Sequence, residues 1–251
     1  MFSMRTRALA LAAAAATLAA CSDSTAPEPA TLDGVLGDVA AIEEYAAMGA
    51  LAGGAPGLPS HGAAWDSCTY TASSQSFVCA PVTSGGMTMT RSFQLLNAAG
   101  TPQSAFNPAT INAVRTTLDV SGSLQGSSQI SMAMEHHSEQ TVGGLLGATR
   151  SVNGQSSTRT ILVSGASTDT LHTTTTTALT LPRPTSAAQR VYPTGTVTTV
   201  MTGGGAMGAG VSMTTTFNGT STATISMSLG GGLTSTCTVN LDVTSQRPIC
   251  S

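Results

Sequence analysis

The side chains best suited to chemistry are concentrated in one short run, Met132–Glu139, which reads MAMEHHSE. On a strand, alternate side chains point to opposite faces, so Glu135, His137 and Glu139 would share one face and Met132, Met134 and His136 the other. The first set offers oxygen and imidazole ligands that suit Zn²⁺, and the second offers thioether and imidazole ligands that suit Cu(I). Neighbouring residues of one strand rarely form a metal site without distant partners. We therefore favour a strand end that passes into solvent, with Glu135, His136, His137 and Glu139 kept as metal candidates.

Other patterns that would carry catalysis are missing from the sequence. The chain has no lysine, no Gly-x-Ser-x-Gly and no His-Glu-x-x-His, so a P-loop, a nucleophile elbow and a zinc-protease helix are excluded. The methionines of the strand-like part invite a copper interpretation, but their alternation with threonine favours core filling. They are Met87, Met89, Met132, Met134, Met201, Met207, Met213 and Met227. The sequence therefore predicts a protein that is not an enzyme and has no cofactor.

Charge excludes another class of partner. Only 8% of the residues are charged, against about 25% in an ordinary soluble domain. Two of the nine basic residues, Arg5 and Arg7, lie at the start, which leaves seven against twelve acids, a formal charge of −5 for the rest of the chain. Nucleic acid is not an expected partner, because no arginine cluster exists to neutralise phosphates.

The elements that position these residues begin with an export signal. Arg5 and Arg7 precede an apolar run from Ala8 to Ala20, which is shorter than the roughly 18 residues that a spanning helix needs. Such a run is typical of a secretory signal peptide, residues 1–20.

The residues directly after this run, Leu18-Ala19-Ala20-Cys21, resemble the lipobox of bacterial lipoproteins. The resemblance implies cleavage before Cys21, a lipid on its thiol and a membrane anchor in the cell envelope. Position 22 is Ser rather than the Asp of the inner-membrane retention signal, which favours the outer membrane. A tether over residues 21–32 follows, since Ser22–Thr31 has two prolines and no apolar periodicity.

One helix is predicted, over residues 33–51. Val35, Leu36, Val39, Ile42, Ala46 and Leu51 recur mostly at spacings of three and four, between Asp33 as a helix cap and the stop Gly53-Gly54. Its polar side is acidic, whereas a helix lying on a membrane favours Lys and Arg. We therefore expect it to cover apolar sheet.

The four cysteines besides Cys21 are Cys68, Cys79, Cys237 and Cys250. An even number in an exported chain indicates two disulfides, with three connectivities open. Pairing Cys68 with Cys79 places Tyr70 opposite Phe77 with a turn at Ser73-Ser74, which favours this bridge and leaves Cys237 with Cys250.

The rest of the chain reads as strands, with period-two alternation rich in Thr, Val and Ile. Asn153-Gly154 and Asn218-Gly219 predict hairpin turns. For the second turn, the apolar pattern favours a loop Phe217–Gly219 with Gly219 left-handed, Met213 opposite Ala223 and Val211 opposite Ile225. Asn107-Pro108 offers a minority alternative, a helical turn through Ile111 and Val114. A loose likeness between 149–165 and 214–230 also leaves a duplication open.

Together these features predict a mainly β fold: a curved antiparallel sheet, an open barrel or sandwich of nine to eleven strands, with the helix packed on it. The sheet and helix would form one domain over residues 33–251. The expected function is that of a lipid-anchored, non-enzymatic structural or binding module of the cell envelope. One alternative is a carrier of lipid or another apolar ligand, and a second is a Cu- or Zn-handling protein. Besides the membrane reached through Cys21, the expected partner is an apolar ligand or an envelope protein.

Overall fold

A computed structural model of the chain describes residues 68–125, 130–184, 189–203, 210–230, 232–242 and 248–251. The predicted signal peptide (1–20), the anchor Cys21 with its tether (21–32) and the predicted helix (33–51) lie outside the described residues.

The described residues form fourteen strands and no helix, as the alternating pattern of apolar and polar residues predicts. The strands are β1 Cys68–Thr71, β2 Ser76–Cys79, β3 Val82–Ser84, β4 Met87–Asn97, β5 Pro102–Gln103, β6 Ile111–Gln125, β7 Ile130–Gly143, β8 Thr149–Ser164, β9 Ser167–Pro182, β10 Thr194–Gly203, β11 Val211–Asn218, β12 Thr222–Leu229, β13 Leu233–Asn240 and β14 Ile249–Cys250.

All fourteen strands belong to one antiparallel sheet that does not close into a barrel. Strands β1, β2, β4 and β6–β14 follow one another across the sheet, while β3 and β5 pair only with β4. The predicted count of nine to eleven strands is wrong. Three strands, β3, β5 and β14, have only two or three residues, and so short a segment shows no periodicity that a sequence pattern could reveal.

One face of the sheet, which we call the inner face, holds the core. Its centre is an apolar row of directly paired residues across β4 to β9, each at most 2% exposed: Leu95, Val114, Val142, Val152 and Leu179. Phe217 and Ala223 continue the same cluster on β11 and β12. Because side chains on one face are two residues apart along each strand, the row aligns the registers of all these strands.

The predicted disulfides join the last two strands at each edge of the sheet. Cys68 bonds Cys79 and Cys237 bonds Cys250, in the pairing that cysteine spacing favoured. Tyr70 lies opposite Phe77 as expected, and Phe77 stacks on Phe93 of β4 at a centroid distance of 4.7 Å. The first hairpin is thereby attached to the core.

The first predicted Asn-Gly turn is wrong. Gly154 lies inside β8, paired with Gln140 on one side and Thr177 on the other. A Cβ at this position would lie 2.6 Å from the Gln140 Cγ atom, so the glycine serves close strand packing rather than a turn. The suggested duplication fails with it, because residues 149–165 form one strand and its following turn, whereas 214–230 form the hairpin β11–β12.

The second predicted turn exists with a different register. Gly219 is left-handed, with φ of +79°, but Phe217 pairs with Ala223 and Met213 with Met227. The loop is therefore longer than predicted, while the apolar residues keep the predicted face. Asn107 opens a single turn by accepting a hydrogen bond from the Ala109 amide at 3.0 Å, and Ile111 starts β6 rather than continuing a helix.

Candidate functional site

The residues of the run 132–139 lie on β7 and separate as their alternation predicts. His136 is on the inner face, where its Nδ1 is hydrogen-bonded to the Thr158 hydroxyl at 2.8 Å. Glu135, His137 and Glu139 are on the opposite, outer face, each directed to a partner on a neighbouring strand. The two histidines therefore do not converge on one point.

Three acid–base contacts cross the outer face between β6, β7 and β8. His137 Nδ1 lies 2.7 Å from Asp119 Oδ1 on β6. The other two are Glu139 with Arg115 and Glu135 with Arg159, each at 3.5 Å. Within the described residues, no group of three or more His, Cys, Asp and Glu side chains has the geometry to hold a metal ion. The metal candidates are thus engaged with other partners.

A groove of about 530 Å³ runs across this part of the outer face. Register places its lining residues in three neighbouring rows that cross β6, β7, β8 and β9 in order. One wall consists of Asp119, His137, Ser157 and Thr174; the other consists of Ser121, Glu135, Arg159 and His172; between them lie Val120, His136, Thr158 and Thr173. Since the middle row points to the inner face, its backbone forms the floor. We call this site the outer groove.

The groove continues into a smaller recess of about 110 Å³ beside it. Glu135 and Arg159 line both spaces, so their side chains form the shared wall. Gly122 lies in the recess with φ of +155°, and a Cβ there would meet the Gly86 carbonyl oxygen and the Met87 Cα. Close approach of β4 to β6 therefore requires glycine at this position.

The charged side chains of the groove are well exposed. The exposed fractions are 54% for His137, 55% for Asp119, 69% for Glu135 and 47% for Arg159. Exposed pairs of this kind contribute only about 0–1 kcal/mol to stability. Breaking either pair is therefore expected to cost the fold little.

The outer side chains of β10–β13 differ sharply from those of β6–β9. They are uncharged, and almost all are threonine or serine. Thr198 and Thr214 show the typical contact, two hydroxyls 3.3 Å apart on paired strands. We call the outer side chains of β6–β9 the charged half and those of β10–β13 the hydroxyl half.

The inner face also changes along the strands. Beyond the apolar row lies a belt of buried hydroxyl groups, in which Thr175 and Thr199 are hydrogen-bonded at 3.1 Å. Farther along, at what we call the open end of the inner face, apolar side chains become accessible. Leu162, Leu229 and Leu233 are 42%, 44% and 67% exposed, and partly buried methionines Met87 and Met89 pack beside Met134.

Sequence reasoning found three outer residues of β7 and missed the residues of other strands that line the groove beside them. Asp119, Arg159 and His172 stand on three other strands, and no local motif connects them. The signal that identifies them is strand register, because Asp119 pairs with His137 and Arg159 with both Glu135 and His172.

Comparison with protein families, with curated proteins and with solved structures finds no match to this chain. In the part of the chain that the structure describes, no helix has the length and apolar character needed to cross a membrane.

Proposed function

We propose that this protein is a lipid-anchored, non-enzymatic binding module of the cell envelope, attached through Cys21 to the outer membrane. The observation that carries the proposal is the outer groove. In a chain with only 8% charged residues, two acids, an arginine and two histidines line the walls of one recess. Exposed charge pairs usually contribute little to stability, which favours a role in recognition.

The shape of the groove indicates the kind of partner. Its walls cross four strands, a span of about 14 Å at roughly 4.8 Å between strands, and its floor is backbone. An extended segment of an envelope protein fits such a straight, open recess. Charged groups of the segment would form ion pairs with Glu135, Arg159, Asp119 and His137 in place of the present pairs. Such contacts contribute more to specificity than to affinity.

Crosslinking in cells tests this proposal. A photoreactive residue replaces Ser157 in the groove in one strain and Ser226, an exposed residue of the hydroxyl half, in another. We expect a discrete crosslinked partner from position 157 and none from position 226. Adding Glu135→Ala and Arg159→Ala should abolish the product. Equal products from both positions, or a product that survives both alanines, would contradict the proposal.

The anchor needs its own test, since it rests on the resemblance to the lipobox. We expect Cys21→Ala to leave an unprocessed, unacylated precursor. Cells are labelled with an acyl precursor and fractionated, with the wild type alongside. Equal labelling of mutant and wild type would remove the lipoprotein assignment without touching the groove.

A specific observation favours a second function, a carrier of lipid or another apolar ligand. The open end of the inner face presents Leu162, Leu229 and Leu233 beside a methionine cluster, and methionine adapts to varied apolar shapes. We propose in addition that the sheet curves around this face and that the helix predicted over residues 33–51 packs on it. The helix then acts either as a permanent cover or as a lid.

Fatty-acid binding separates a lid from a cover. The full mature chain is compared with a chain that begins at Gly53, using a fluorescent fatty acid and thermal unfolding. A lid predicts binding after truncation with the sheet still folded. A cover predicts a loss of stability, since apolar burial contributes roughly 25 cal/mol per Å². Loss of stability without binding in either chain would exclude the carrier.

A further inference from the structure

The sheet has two open edges, and both end in very short strands. β1 has four residues and β14 two, whereas β6–β9 each have at least fourteen. Each edge strand is joined to its neighbour by a disulfide, Cys68–Cys79 at one edge and Cys237–Cys250 at the other. Short edge strands are a common way to prevent pairing with another chain.

The two edges are not equally protected against pairing with another chain. β4 is the first long strand at one edge. On the side away from β6 it pairs with three segments, β2, β3 and β5. β13, at the other edge, pairs with β14 only through Cys237 and Thr238, and two backbone hydrogen bonds join Thr236 to Ser251. In the described part of the chain, no strand pairs with Leu233–Ser235 on that side.

The composition of β13 makes this edge prone to association. Its sequence, LTSTCTVN, has no charge, no proline and no glycine, and consists largely of residues that favour strands. These are the features of segments that add to other sheets. Leu233, at the start of β13, is 67% exposed, so pairing would also cover apolar surface.

The edge also suits pairing with a copy of itself. Thr236 directs its N–H and C=O outward to Ser251, and alternate residues of a strand bond to the same side, so Thr234 and Thr238 face the edge as well. Antiparallel pairing of identical strands about a twofold axis brings threonines together, and such cross-strand pairs are favourable. No like charges oppose the contact.

We propose that the free edge of β13 is an interaction surface for a second copy of this chain, and that the Cys237–Cys250 disulfide blocks it. The bridge holds a two-residue strand that is too short to persist on two residue pairs alone. When the bridge is absent, β14 leaves the edge and β13 pairs with β13 of another copy.

Molar mass from light scattering tests the proposal on the mature domain. Cys237→Ser with Cys250→Ser removes the bridge without leaving a thiol for intermolecular bonding. We expect its molar mass to be twice that of the wild type, with the strand signal in circular dichroism retained. The matched control is Cys68→Ser with Cys79→Ser. It should keep the wild-type mass, because β3 and β5 still pair with the edge of β4.

A third variant separates edge pairing from misfolding. Adding Thr236→Lys to the Cys237/Cys250 double variant places a charge on the edge, which natural edge strands use against pairing, and it should restore the wild-type mass. An unchanged mass in the double variant would overturn the proposal. Association that persists with the lysine, or that is equal in the Cys68/Cys79 control, would overturn it too, since loss of structure would then be the cause.

Discussion

The charged half and the hydroxyl half share one backbone sheet and differ on the outer face. In the charged half, Asp119 meets His137 at 2.7 Å and Glu135 meets Arg159 at 3.5 Å. In the hydroxyl half, the corresponding cross-strand contacts are pairs such as Thr198 with Thr214. The inner apolar row continues beneath both halves through Val152, Leu179 and Phe217.

The comparison indicates that outer side chains are free to specialise when the inner face determines the register. Charges give the first half a recess lined by acid–base pairs. The second half has no such charges on its outer strands, and its last strand is closed by a disulfide.

The largest loss of stability should come from a substitution in the core that lies under both halves. Phe217 is 5% exposed within the main core cluster, and Phe217→Ala should lower the free energy of unfolding by about 3–5 kcal/mol. Because the core is continuous, urea unfolding should remain a single transition. Two transitions, one for each half, would show that the halves are independent units and would break the comparison.

The second effect on stability tests Gly154, on the inner face of β8. Gly154→Ala places a Cβ 2.6 Å from the Gln140 Cγ and 2.8 Å from the Glu139 carbonyl oxygen. Overpacking of this kind costs about 1–3 kcal/mol. Gly147→Ala is the matched control, since its nearest contact would be an ordinary 3.5 Å. Equal urea midpoints for the two variants would contradict a packing role for Gly154.

Gly154 also illustrates where prediction from sequence stops. Asn153-Gly154 and Asn218-Gly219 are the same dipeptide, yet one lies within β8 and the other forms a turn. The local signal was equal, and the pairing of β8 with β7 and β9 over its whole length outweighed it. The period-two pattern was decisive for strands because it reports the buried face directly.

The candidate site was predictable only in part for the same reason. Alternation placed Glu135, His137 and Glu139 on one face, as the structure has them. Their partners Asp119 and Arg159 depend on long-range register, which one sequence does not reveal. Cysteine pairing could be predicted because spacing and the Tyr70–Phe77 match pointed to the same bridge.

The third effect concerns the ion pairs of the charged half. Glu135→Gln should change stability by at most about 1 kcal/mol, because Glu135 and Arg159 are both well exposed. Any loss should shrink at high salt, which screens exposed charges. Thr198→Val in the hydroxyl half is the comparison, and its effect should not depend on salt. A large, salt-independent loss from Glu135→Gln would mean that the pair has a structural role and would weaken the binding proposal.

The smallest effect should come from a charged cluster at one end of the hydroxyl half. Asp242, just after β13, accepts hydrogen bonds from the Tyr192 hydroxyl and from Arg190, both at 2.7 Å. These donors, with Tyr192 the larger cause, hold the pKa of Asp242 below its usual value. Arg190 and Asp242 are exposed and Tyr192 is half-buried, so the stabilisation should be slight.

The direction of the pH dependence follows from that lowered pKa. The folded state favours the Asp242 carboxylate, so its contribution is fully present above the pKa of the unfolded chain and is lost as pH falls through the lower folded value. The stability difference between wild type and Asp242→Asn should therefore be constant near neutral pH and disappear in acid. Carboxyl NMR provides the direct measurement: Tyr192→Phe should raise the pKa of Asp242 toward its usual value, while Thr198→Val should leave it unchanged. If the pKa of Asp242 is the same in Tyr192→Phe and the wild type, the side-chain cluster does not hold this end of the hydroxyl half. Backbone contacts would then hold it, such as the hydrogen bond from the Leu241 amide to the Ser221 carbonyl at 2.7 Å.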